Sequence, residues 1–179
     1  REQNDLESAR EYLLKSENLG EQAGLPDWRY RFCRIQSRMK QTMGDFDSAL
    51  DLLNEAERLY YITPVPNIRP TPTMKARIWI EQGHIEKALA WAHEHGLSVE
   101  SELTYLNEFN LITLARIQLS QYQQGRLDSS NDVSHLLENL LESAETGERQ
   151  GSLIEILVLQ ALLQQAENDM DSAFMSLER

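Results

Sequence analysis

The chain has 179 residues, 41% of them apolar, with 29 acidic against 17 basic side chains and a formal net charge of -12. That is enough chain to bury a continuous core but an acidic surface for meeting a phosphate backbone, so direct nucleic-acid binding by this segment is not expected. The single cysteine, Cys33, excludes an intrachain disulfide, and the absence of zinc-type Cys/His spacings, a long apolar run or a secretory leader points to a cytoplasmic, non-membrane chain.

In chain order, the first helix is predicted over 4–22, opening on Asn4-Asp5-Leu6-Glu7-Ser8-Ala9-Arg10. A second, over 27–43, carries the apolar stripe Trp28, Phe32, Ile35 and Met39. Gly44-Asp45-Phe46-Asp47-Ser48-Ala49-Leu50 then repeats the opening motif and starts a third helix over 46–60, with Phe46, Ala49, Leu50, Leu53 and Ala56 on one face. The stretch Thr63 to Pro72 holds four of the five prolines, which cannot continue a helix, and reads as a stiff connection between repeats.

Helices follow over 71–82 and 85–95, joined by a third copy of the motif, Gly83-His84-Ile85-Glu86-Lys87-Ala88-Leu89. Further helices are expected over 102–123 and 131–146, separated by the irregular Gly125 to Asn131, where Asn131 or Asp132 is the candidate cap. The last pair, 150–167 and 170–178, is joined by Asn168-Asp169-Met170-Asp171-Ser172-Ala173-Phe174. Each copy places a residue tolerant of left-handed backbone, then an apolar residue, an acid in the first turn, and an Ala where two helices approach closely. No stretch alternates with period two, so no sheet is expected.

A junction repeated at about 39 residues defines an all-α fold, a tetratricopeptide-like α-α superhelix (solenoid) of about four to five helix pairs, in a single helical-repeat domain over 1–179 with a Pro-rich connection at 63–72. Arg1 in place of an initiator Met, and Ser176-Leu177-Glu178-Arg179 ending inside a helical pattern, suggest a fragment of a larger protein.

A more specific likeness covers 70–179, in Ala76-Arg77-Ile78-Trp79-Ile80-Glu81-Gln82-Gly83, Ala88-Leu89-Ala90-Trp91-Ala92, Gly96-Leu97, Leu114-Ala115-Arg116 and the run from Gly151 to Leu162. Together these resemble the helical sensor region of the large ATP-dependent LuxR-type transcriptional activators of the MalT group. The resemblance implies a nucleotide-switch domain before the array and a helix-turn-helix DNA-binding domain after it, both absent from this chain. It implies ATP for the missing domain alone; no Gly-rich run ending in Gly-Lys-Ser or Gly-Lys-Thr occurs here, so no cofactor is expected in this chain.

The sharpest candidate site is a ladder of arginines at Arg38, Arg77 and Arg116, one 39-residue period apart, extended on its first rung by Arg31 and Arg34. Equal phase places the ladder on the first helix of each pair, toward the inner groove of a tetratricopeptide superhelix. Two readings compete: planar donors for a carboxylate, phosphate or acidic peptide, or a helix face neutralised by Glu81, Glu108 or Glu155. Trp79 is a candidate groove residue and Trp91 a second stacking surface, although their apolar neighbours argue for core packing.

The remaining candidates for chemistry have plainer readings. His93 and His95 lie on different sides of a helix, Cys33 lies in an apolar pattern, and Glu138, Glu142 and Glu145 read as a solvated face, so no catalytic constellation is expected. The expected function is non-catalytic: a sensor that takes a small-molecule effector or a regulatory protein in its groove and thereby controls the flanking domains of the same polypeptide. The alternative is a constitutive tetratricopeptide-type protein-interaction scaffold.

Overall fold

A computed structural model describes residues 5–24, 27–60 and 66–179, and among these residues all regular structure is helical. The chain forms two compact units, residues 1–65 and 66–179, and the break falls inside the Pro-rich stretch. Of that stretch, 63–65 lies outside the described residues, as do Asn4 of the first junction and Pro26.

The first unit holds α1 (Leu6–Ala23), α2 (Trp28–Thr42) and α3 (Phe46–Leu59). Phe32, Met39 and Leu13 form its buried cluster, with Ala9 and Trp28 packed against it. Gly20 matters here: a Cβ at that position would stand 2.7 Å from the Trp28 ring, so α1 and α2 approach closely because the side chain is missing. The expected stripe on α2 needs one correction. The buried arc runs through Phe32, Cys33, Ser37 and Met39, and Ile35, off that arc by helical rotation, is 53% exposed.

The second unit holds α4 (Thr71–Glu81), α5 (Ile85–Glu94), α6 (Glu108–Gln123), α7 (Asn131–Thr146), α8 (Gln150–Ala166) and α9 (Met170–Glu178). Consecutive helices pack as antiparallel pairs, and α4, α6 and α8, the first helix of each pair, also pack on one another in series. Its core is continuous, from Ala76 on α4 through Leu111, Ile117, Leu137 and Leu140 to Ile156 and Leu159 on α8. Layers of this kind, each contacting its neighbours, are the tetratricopeptide-like repeat expected from the junction motif.

The junctions form as their sequence implies. Gly44 (φ 77°), Gly83 (φ 75°) and Asn168 (φ 64°) supply the left-handed turn residue. Asp45 and Asp169 then cap the following helix by accepting from the backbone N–H of Ser48 and Ser172, as Asp5 does for Ser8. The junction alanines Ala49, Ala88 and Ala173 are buried.

Two boundaries differ from expectation. α6 begins at Glu108, not 102, because 98–107 is held in turns: Ser98 N–H donates to Ser101 Oγ, and the Thr104 carbonyl accepts from the N–H of both Asn107 and Glu108. The cap of α7 is Ser130, since Asn131 is already helical.

Candidate functional site

α4, α6 and α8 each present one polar residue at the same phase of the repeat: Arg77, Arg116 and Glu155, spaced by 39 residues. Glu155 thus stands on the next rung of the arginine ladder with the opposite charge. Its Oε1 accepts from Arg77 Nη1 at 2.8 Å and from Arg116 Nε at 2.9 Å, so one carboxylate oxygen joins helices of three successive pairs.

The Arg77 guanidinium is held by Thr113 and Phe109 as well as by Glu155. Its Nε donates to Thr113 Oγ1 at 2.8 Å, and that hydroxyl donates onward to the Phe109 carbonyl. Its carbon stands 3.8 Å from the centre of the Phe109 ring, which covers one face of the cation. Nη2, by contrast, is buried with no hydrogen-bond partner. Above the trio, Thr73 Oγ1 donates to Asn110 Oδ1 at 2.6 Å, tying α4 to α6 again.

Electrostatics follow from two cations meeting one anion. Burial pushes Arg77 down to about 10 against the pull of Glu155, and the nearby Arg116 adds to the fall; the group is nonetheless charged near neutrality. Burial pushes Glu155 the other way, up, but Arg77 and Arg116 outweigh it and hold the carboxyl below its ordinary value.

A second polar group lies at the start of α6. Glu108, 5% exposed, accepts from Arg149 at 2.6 Å and from Ser152 Oγ at 2.5 Å, and Arg149 also reaches Ser143 Oγ. Glu108 is therefore taken by Arg149 and not by the ladder. Thr113, Asn110 and Arg149 carry no local signal in the sequence because their partners lie roughly one repeat away; for Glu155, one of three candidate partners, the signal that singles it out is its place one period beyond Arg116.

These contacts between stacked helices accompany a match of the sequence to the MalT-like TPR region over residues 1–179. The chain belongs to this family. No curated protein and no solved structure matches it.

In this MalT-like region the predicted site residues divide between the units. Arg77 and Arg116 come together on Glu155, whereas Arg31, Arg34 and Arg38 lie on α2 in the first unit. There Arg31 pairs with Asp27 at 2.5 Å with most of its side chain in solvent, and Arg34 donates to Tyr30 Oη at 2.9 Å. Trp79 is half-buried against the apolar core, two residues from Arg77 and so on another side of α4. Trp91 is 4% exposed, with the His95 ring 5.5 Å away.

His93 and His95 are exposed, as are Glu138, Glu142 and Glu145. Cys33 is buried, and burial raises its thiol above the ordinary value, which disfavours the reactive thiolate. Among the described residues no three His, Cys, Asp or Glu side chains are grouped to hold a metal ion, and no helix is long and apolar enough to cross a membrane. An open cleft of about 510 Å³ lies between the ends of α6 and α8, lined by Tyr122, Gln123, Gly125, Leu127, Gln165 and Ala166.

Proposed function

We propose that this chain is the effector- or partner-sensing region of a LuxR-type transcriptional regulator of the MalT group and is itself non-catalytic. The observation that carries the reading is the match to the MalT-like TPR region along all of residues 1–179. In such a regulator a nucleotide-switch domain, which holds ATP, and a helix-turn-helix domain would flank the array. The array would work by favouring one of two arrangements, which requires an effector with different affinities for them. The polar face of α4, α6 and α8 supports this, because a group that joins three layers can transmit a change at one layer to the others.

A thermal-shift panel of neutral sugars, carboxylates, phosphorylated metabolites and acidic peptides tests the proposal. At a hundredfold its dissociation constant an effector adds about 2.7 kcal/mol, or several degrees, to a domain of this size. Stabilisation by one chemical class is the expected result. A flat response across the panel would favour the second reading, a constitutive interaction scaffold, for which the open cleft between α6 and α8 speaks, since no arginine or tryptophan lines it.

A further inference from the structure

Arg77 is neutralised by half a contact. A guanidinium offers a carboxylate or phosphate its in-plane edge, in which two parallel N–H donors meet two oxygens. In Arg77 the Nε is committed to Thr113 and one face to Phe109, which leaves the Nη1–Nη2 edge. Glu155 occupies that edge with a single oxygen, on Nη1, and shares the oxygen with Arg116. Nη2 is left buried and unpaired. An unsatisfied buried donor costs free energy, as does the excess of two cations over one anion.

We propose that the Arg77–Arg116 pair is a binding site for a small anion bearing a carboxylate or phosphate group, and that Glu155 is its built-in occupant, exchanged for the ligand when the ligand binds. Glu155, at 23% side-chain exposure, and Arg116, at 35%, reach solvent, and Arg77 is 17% exposed with its Nη2 buried, so the exchange requires the Glu155 side chain to rotate away and open the Nη1–Nη2 edge. An incoming group with two or three oxygens satisfies Nη1 and Nη2 together and still reaches Arg116, which Glu155 does not. A single anionic group fits better than a polyanionic segment, because the chain's net charge of -12 repels the latter. Because Glu155 bridges α4, α6 and α8, its release would remove a tie between layers in the same event.

This inference rests on the sensor reading and narrows it to a ligand class. Its test is calorimetric titration of the chain with inorganic phosphate and, separately, with acetate, at constant ionic strength, in the parent protein and in Glu155→Gln. Removing the charge of the built-in occupant should tighten at least one probe tenfold or more, and the probe that responds separates phosphate from carboxylate ligands. The gain should vanish when Arg77→Lys is added, since an ammonium cannot reproduce the fork.

A folded Glu155→Gln chain that binds neither probe more tightly would overturn the proposal, as would tightening that survives Arg77→Lys. If Glu155→Gln does not fold, Glu155→Asp withdraws the carboxylate by one methylene, and the same two outcomes apply. A neutral effector found in the thermal-shift panel and unaffected by Glu155→Gln would sink the anion site while leaving the sensor reading intact.

Discussion

The two units use the same helix-pair pattern but place their charges differently. In the first, the described ion pairs are local: Glu11–Lys15, Asp27–Arg31 and Glu55–Arg58 each lie about one helical turn apart, and Lys40–Asp45 spans the tight turn from α2 to α3. In the second, Arg77–Glu155, Arg116–Glu155, Glu86–Arg126, Glu108–Arg149 and Glu145–Arg179 all join residues at least 34 apart, from different helix pairs or their connections. Local pairs on an exposed helix support that helix and little else. Pairs between layers fix one repeat against the next, and where they are buried, removing one partner strands the other.

The largest test of this contrast is Arg149→Ala, which leaves Glu108 charged and buried. It should cost about 3–5 kcal/mol, read as a lower urea midpoint. Arg77→Ala should cost less, about 1–3 kcal/mol, because Glu155 keeps Arg116. At the other end, Arg31→Ala in the first unit should cost under about 0.5 kcal/mol, its partner being one turn away and its side chain 68% exposed. An Arg31→Ala loss as large as that of Arg149→Ala would erase the distinction between the units.

Acid sharpens the same comparison. The folded-state value of Glu155 is depressed, so its contribution is complete above the ordinary value of 4.5 and is lost as pH falls through the lower, folded-state value. Asp5, Asp45 and Asp169 are also held low, by hydrogen bonds from Ser8, from Lys40 and Ser48, and from Ser172 respectively, and they act in the same direction. The gap in stability between the parent chain and Glu155→Gln isolates the one group. It should be constant from neutrality to about pH 5 and close below the ordinary value; a gap unchanged at pH 3 would show that the carboxylate's charge contributes nothing.

How much was legible in the sequence follows the same division. Junctions are local: a left-handed residue, an apolar helix start and an Ala fall within seven positions, with an Asp cap before Phe46 and Met170 and His84 before Ile85, so these three helix starts can be read directly. The start of α6 cannot, because the turns over 98–107 are held by the Ser101 and Asn107 side chains and the Thr104 carbonyl, and Ser and Asn favour turn and helix start alike. Ile35 was misplaced because an apolar stripe of four residues fits two neighbouring helical phases, and the buried Ser37 carried the other. On the polar face, the period marked Arg77 and Arg116 as equivalent, and Glu155 entered as one of three candidate partners; selecting it required the packing of α4, α6 and α8. The Phe109 cover and the Thr113 link needed coordinates.

The most direct measurement is a double-mutant cycle between Arg77 and Glu155, comparing urea unfolding of the parent chain, Arg77→Ala, Glu155→Gln and the double variant. If the carboxylate joins the layers of the second unit through Arg77, the coupling energy should be about 1–3 kcal/mol. A coupling near zero, with the two single effects simply adding, would contradict the account.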